Sequence, residues 1–384
     1  MDARERVLEL AHAEGFPLVR FAPAGPLAAA RESAHAAHDE GRLAGMAWMT
    51  PGWLDRSTDP GQFLTGAQTV ILLALPYRGE TPAPDDGLTR GRIARYARGR
   101  DYHRVFEKKL RRIARALREE FGATARPTVD YGPLLERPLA AASGMGWLGK
   151  STMLLVPGFG PWVLLGAIAT DLEIDSDAPL RKSCGSCTRC IAACPTGAIS
   201  PEGNVLDARL CISYHTIENR GPIPRDLRPK FGDWIFGCDD CLDSCPVGRA
   251  PHPGYPDFEP RDIEHARPAL APLLALDDAA FEERFRGRPI MRAKRDGFLR
   301  NVSVALGNTG AEADLPPLVS ALDDPSALVR GHAAWALGHL AHRLGLESAA
   351  VVPLEKRAAI EQDPWVLEEL RLALDLTAPA TPGG

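Results

Sequence analysis

The clearest chemistry in this chain lies in its cysteines. All eight fall between Cys184 and Cys245, a small window of a 384-residue sequence. The first set reads Cys184-x2-Cys187-x2-Cys190-x3-Cys194-Pro195. This is the run that ligates a 4Fe-4S cube, in which short spacings let successive thiolates cap different irons. The second set reads Cys211, then Cys238-x2-Cys241-x3-Cys245-Pro246. In two-cluster ferredoxins the last cysteine of such a run serves the other cube. The eight thiols then divide without remainder. Cys184, Cys187, Cys190 and Cys245 form one ligand set, and Cys194, Cys211, Cys238 and Cys241 form the other. Zinc is the competing reading, but a zinc ribbon offers two pairs, and triplets of this spacing followed by proline fit it poorly.

Two clusters move single electrons, and those electrons need an acceptor. No Gly-x-Gly-x-x-Gly fingerprint follows a strand and no phosphate-binding Walker sequence is present, so neither pyridine nucleotide nor ATP has a dedicated motif. Asp101-Tyr102-His103 begins like the Asp-x-His-x-x-Gly of base-off corrinoid proteins, but Phe106 stands where the glycine belongs.

The surrounding elements mix helix and strand. Residues 2–14 carry Val7, Leu8 and Ala11 at helical spacing before Gly15, and a short strand follows over Pro17–Phe21. Gln68–Tyr77 is a continuous apolar run that predicts a fully buried strand. Residues 81–90 read as a surface loop. Arg90–Arg118 is densely basic, with Leu110, Ile113 and Leu117 as an apolar stripe, and predicts one basic-faced helix. Strands are expected over Met153–Val156 and Trp162–Ile174, separated by the turn Pro157–Pro161. After Pro260 the chain turns Ala/Leu-rich and repeats itself. Residues 301–308 align with 332–339 at an offset of 31, and Asp324-Pro325 reappears as Asp363-Pro364. Paired helices at this period predict a short HEAT-like array.

The length is that of two or three domains. With 45 basic and 50 acidic residues the net charge is −5, an ordinary globular balance. No apolar run is long enough to span a bilayer, and the first residues lack a signal-peptide core. A cytoplasmic protein without structural disulfides is expected.

Several motifs occur together and in order: Val129-Asp-Tyr-Gly-Pro-Leu-Leu-Glu-Arg137, Gly144-Met-Gly-Trp-Leu-Gly-Lys150, Leu165-Gly166 with Thr170-Asp-Leu172, the Cys184 run, and Cys211-Ile-Ser-Tyr-His-Thr-Ile-Glu218. From about Arg56 to Pro246 the chain resembles the epoxyqueuosine reductases. The resemblance implies an α+β cobalamin-binding catalytic domain over 1–178, a ferredoxin-like two-cluster insert over 179–258, and a HEAT-like helical tail over 259–384. It implies reduction of the epoxide of epoxyqueuosine at the wobble position of tRNA. Electrons would reach a cobalamin through the clusters, and Asp130 would give a proton to the opening oxygen. For that, Asp130 must stay protonated near neutral pH, which burial against the corrin would achieve.

Arg56, Tyr96, Lys150, Ser213 and Tyr214 fall in segments the family uses around corrin and substrate. The implied partners are tRNA and an external donor such as a flavodoxin or ferredoxin, with a monomeric enzyme and no membrane. The alternatives are another corrinoid iron-sulfur reductase, such as a reductive dehalogenase-like enzyme, and a non-enzymatic two-cluster electron carrier with a helical docking tail. Phosphate contact is expected from the basic stretch Arg90–Arg118 and from Arg284–Arg300, where Phe285 and Phe298 would stack on bases. The chain departs from the usual family pattern at Leu242 and at Val247-Gly248.

Overall fold

A computed structural model of the chain describes residues 2–80, 86–249 and 253–378. The chain forms two compact units. One comprises 1–80, 99–209 and 239–259, and the other comprises 81–98, 210–238 and 260–384.

The first unit is built on an antiparallel sheet in the order β1-β2-β7-β4, from β1 (Leu18–Pro23), β2 (Thr69–Pro76), β4 (Ala125–Thr128) and β7 (Val163–Thr170). Every residue of β2 is buried, which is why its sequence is uniformly apolar rather than alternating. Pro127 sits in β4, an edge strand, where a missing N–H costs no ladder bond.

The helix Tyr102–Phe121 packs on β4 and β7 through Phe106, Leu110, Ile113 and Leu117. Gly166 makes that approach possible, since a Cβ there would lie 2.6 Å from the Phe106 ring. The opposite face is covered by Leu134, Leu139, Ala140, Met145 and Leu154. Two-residue strands β5 (Trp147–Leu148) and β6 (Leu154–Leu155) pair with each other.

The basic stretch is not one helix. Asp101 caps the N-terminus at Tyr102 through a bond from His103 N at 3.0 Å. Residues before it belong to β3 (Arg92–Ile93) and a 3-10 turn, Arg95–Ala97. Arg98 is buried, its Nε donating to Ile93 O. Of the expected surface loop over 81–90, residues 81–85 lie outside the described residues.

In the second unit β3 pairs in parallel with β8 (Trp234–Phe236). Five helices follow from Lys294 to Thr377, and the predicted repeat has a physical basis. Gly307 and Gly338 occupy equivalent places 31 residues apart. A Cβ on Gly307 would meet Trp335 and Ala336 of the next long helix at 2.8 and 3.0 Å. One on Gly338 would meet Ala373 of the last helix at 2.9 Å. The Ala-Leu-Gly repeat therefore marks the places where successive helices come close enough to touch. No described helix is long and apolar enough to cross a membrane.

Replacing Gly166 by alanine should destabilise the chain by about 1–3 kcal/mol through overpacking against Phe106, read as a lower urea midpoint at unchanged slope.

Candidate active site

Asp130 lies where β4 ends, in the left-handed region at φ +43°, a strained setting for a residue other than glycine. The following turn folds back so tightly that a Cβ on Gly132 would overlap Thr128 Oγ1. Its Oδ2 accepts from Tyr102 Oη at 2.5 Å and stands 3.3 Å from His103 Nε2, while His103 Nδ1 is 2.7 Å from Asp101 Oδ1. Asp130 N donates to Glu136 Oε1 at 2.9 Å. Leu135 N donates to Ser57 O, tying this loop to the Pro51–Ser57 helix that carries Arg56.

The neighbours of Asp130 within the chain favour its ionised form. Its side chain is 61% exposed. Neighbouring protein atoms strip part of its hydration and work to raise its pKa, but the bonds from His103 and Tyr102 and the charges of His103 and Arg137 outweigh them and hold it below the usual carboxylate range. The protons sit on its neighbours. Glu136 is pushed up to about 8 by burial and by the Asp130 charge. His103 reaches about 9 because its bonds to Asp101 and Asp130 overcome the opposing effect of burial. Near neutrality the cluster thus holds an ionised Asp130 between an imidazolium and a protonated glutamic acid. Sequence reasoning missed His103 and Glu136. Asp101-x-His103 was legible only as a failed corrinoid motif, and Glu136 only as one residue of a longer family motif.

The cysteines sit on short segments. Cys190 is in the helix Arg189–Ala193, Cys241 is in Asp240–Asp243, and these two helices pack together. The thiols of Cys190 and Cys245 are raised by burial and then by neighbouring thiols, Cys184 acting on both and Cys187 on Cys245. Cys194 Sγ accepts from Ala198 N at 3.3 Å, the kind of bond that tunes a cluster's potential. The departure at Val247-Gly248 has a backbone reason. Gly248 is at φ +74° and a Cβ on it would lie 2.4 Å from Gly160 N. Leu242 is simply buried.

The remaining candidates are spread over both units. Lys150 packs its stem on Gly203 and its carbonyl accepts from Asn204 N. Tyr96, Ser213 and Tyr214, all half-buried, belong to the second unit, with Tyr96 against Phe236 and Tyr214 edge-on to His215.

In Arg284–Arg300 the expected base stacking is corrected by burial, while Arg284, Arg286, Arg292 and Lys294 are exposed. Phe285 and Phe298 are core residues whose rings lie 4.9 Å apart, and neither can stack on a base. Arg288, Arg295 and Arg300 are also buried. Arg295 pairs with Asp324, and Arg300 bonds to backbone carbonyls. By contrast Arg104, Lys108, Arg111, Arg115 and Arg118 are exposed along one side of the Tyr102–Phe121 helix.

This arrangement defines an iron-sulfur oxidoreductase of α+β fold with a helical-repeat tail. Residues 183–248 match the family model of the 4Fe-4S double cluster binding domain, 57–131 that of epoxyqueuosine reductase QueG, DUF1730, and 291–375 that of HEAT repeats. The chain belongs to the epoxyqueuosine reductase family. It is 43% identical over 307 residues to the epoxyqueuosine reductase of Xanthomonas campestris pv. campestris, covering 78% of this chain and 85% of that one. It is 36% identical to that of Escherichia coli, covering 81% and 82%. Among solved structures, an epoxyqueuosine reductase with an epoxyqueuosine-modified tRNA-Tyr stem loop matches at TM-score 0.89 and 29% identity, over 97% of this chain and 98% of that one. One from Bacillus subtilis, with its aspartate-bearing catalytic loop swung out of the active site, matches at TM-score 0.88 and 30% identity over the same shares.

Because the folded chain holds the Glu136 proton more tightly than the unfolded chain does, the stability this group contributes is complete below pH 4.5 and lost as pH rises through about 8. Urea midpoints of Glu136→Gln should decline less across that window than those of the native chain.

Proposed function

We propose that this chain reduces the epoxide of epoxyqueuosine in tRNA to the alkene of queuosine, acting as a cytoplasmic monomer. An external flavodoxin or ferredoxin system supplies the electrons. The observation that carries this reading is the near full-length likeness to an epoxyqueuosine reductase solved with its modified stem loop. Relatives bearing the same name favour it over a reductive dehalogenase-like activity and over a bare electron carrier. The three matched spans fall one each within 1–178, 179–258 and 259–384, while the compact units cut across the first two of these divisions.

Removing the epoxide oxygen as water takes two electrons and two protons. Cys184, Cys187, Cys190 and Cys245 would hold one cluster, and Cys194, Cys211, Cys238 and Cys241 the other, with soft thiolates as the fitting donors.

A cobalamin also fits the residues present. Both ring nitrogens of His103 are engaged by Asp101 and Asp130. Trp147 Nε1, in the Gly144–Lys150 segment implied to face the corrin, is a buried donor without a protein acceptor. Arg56, Tyr96, Lys150, Ser213 and Tyr214 are the candidate contacts that the resemblance implies. When bound, the corrin would supply a strongly reducing cobalt centre.

The chain's own groups manage the protons. Tyr102 and His103 fix the Asp130 carboxylate. His103 holds a proton against the Asp130 carboxylate, which would pass it to the departing oxygen, while Glu136 anchors Asp130 by its backbone N–H. The exposed basic face from Arg104 to Arg118 would contact tRNA phosphates.

Asp130→Asn should keep its iron and bind cobalamin, yet convert epoxyqueuosine-containing tRNA at least ~100-fold more slowly by nucleoside analysis. Normal turnover would remove Asp130 from the reaction. Arg111→Ala with Arg115→Ala should weaken tRNA binding and reduce the slope of log affinity against log salt by about 1–2. An unchanged slope would send the phosphate contacts elsewhere.

A further inference from the structure

The segment 210–238 begins and ends beside cysteines, Cys211 and Cys238, and folds within the second unit. It contains only a six-residue helix, Ile212–Ile217, a 3-10 turn, Arg228–Phe231, and the three-residue β8. Elements this short do not hold their shape by their own hydrogen bonds. The repeat helices supply what is missing. Asn301, fully buried in the helix Lys294–Thr309, donates from Nδ2 to Thr216 O and to Ile235 O, both at 2.9 Å. The first acceptor is in the helix that starts after Cys211, and the second is in the strand that runs into Cys238.

Arg300, also fully buried, donates to Asn219 O and Gly221 O at 3.0 and 2.7 Å and to His215 O, closing the C-terminal end of the same short helix. Its Nε donates to Asn301 Oδ1 at 3.1 Å, so the two side chains act as one unit. Thr216 Oγ1 accepts from Gly237 N at 2.9 Å, joining the two cysteine-bearing ends directly. Cys238 packs on the small core formed by Ile212, Phe231 and Trp234.

The next repeats continue the grip. His332, kept neutral by burial and then by the charges of Arg228 and Arg300, accepts at Nε2 from Ile223 N at 3.2 Å. Glu369 receives both Arg228 terminal nitrogens at 2.8 Å.

We propose that Asn301 and Arg300 are positioning residues for an iron-sulfur cluster, fixing the separation of Cys211 and Cys238, and that the helical-repeat array is part of the cluster-holding framework. This rests on the reading of those two cysteines as ligands.

The test uses the full chain reconstituted anaerobically with iron and sulfide, read by iron content and by low-temperature EPR of the reduced protein. Cys238→Ser identifies the signal of the second cluster. Asn301→Ala should lose that signal and fall from about eight irons per chain to about four. Asn308→Ala is the matched control. Asn308 lies on the same helix and also donates to two carbonyls, Arg228 O at 2.8 Å and Gly232 O at 3.0 Å. It should lower the melting temperature with iron and spectrum unchanged. Thr216→Val, a milder change, should keep full iron but shift the second signal.

Full iron and an unaltered spectrum in Asn301→Ala, or equal iron loss in Asn308→Ala, would overturn the proposal. If Asn301→Ala does not fold, an unshifted spectrum in Thr216→Val overturns it instead. Should Cys238→Ser retain both signals, the ligand reading fails, which is a separate result.

Discussion

Thiolates that share an inorganic cube have to be held at fixed separations, and in this chain they are presented by segments too short to hold themselves. The helices beside Cys190 and Cys241 have five and four residues, and the one after Cys211 has six. Nucleating a helix costs more than one or two turns return, so such pieces keep their shape only by leaning on neighbours. Much of the architecture answers that requirement. Gly160 and Gly248 let two backbones meet beside Cys245, and buried polar side chains on the long repeat helices bind the loop between Cys211 and Cys238.

The Asp130 group shows a related economy in charge. A lone carboxyl that had to remain protonated at neutral pH would need burial, which would close it to a bulky substrate. Here the carboxyl is left exposed and ionised, and the protons are stored on His103 and Glu136, which are more enclosed. The unfavourable φ of Asp130 is maintained by bonds at both ends of the residue, Glu136 on its N–H and Tyr102 on its carboxylate.

What the sequence made legible follows from which physical signals are local. Cysteine spacing is a local signal, and the cluster domain was read from it. The uniform apolarity of β2 and the Ala-Leu-Gly recurrence are local too, and both predicted elements are present. In the Arg284–Arg300 stretch composition records charge and aromaticity without recording which residues are buried. Arg300 and Arg288 satisfy distant carbonyls, and Phe285 and Phe298 face one another in the core. The apolar stripe from Leu110 onward predicts a helix but does not locate its start, which the Asp101 cap sets at Tyr102. His103 and Glu136 gave no signal of their own, since their importance depends on a turn that brings residues about thirty positions apart into contact.

Repeat arrays usually keep one row of side chains open to visitors, and that row is where new binding specificities arise. In this chain the row through Asn301, His332 and Glu369 is already occupied by the chain's own backbone and by Arg228. A binding surface in this region is therefore left to the far sides of the helices and to the joints between them. A gene that shed these repeats would forfeit the wall against which the loop between Cys211 and Cys238 is moulded.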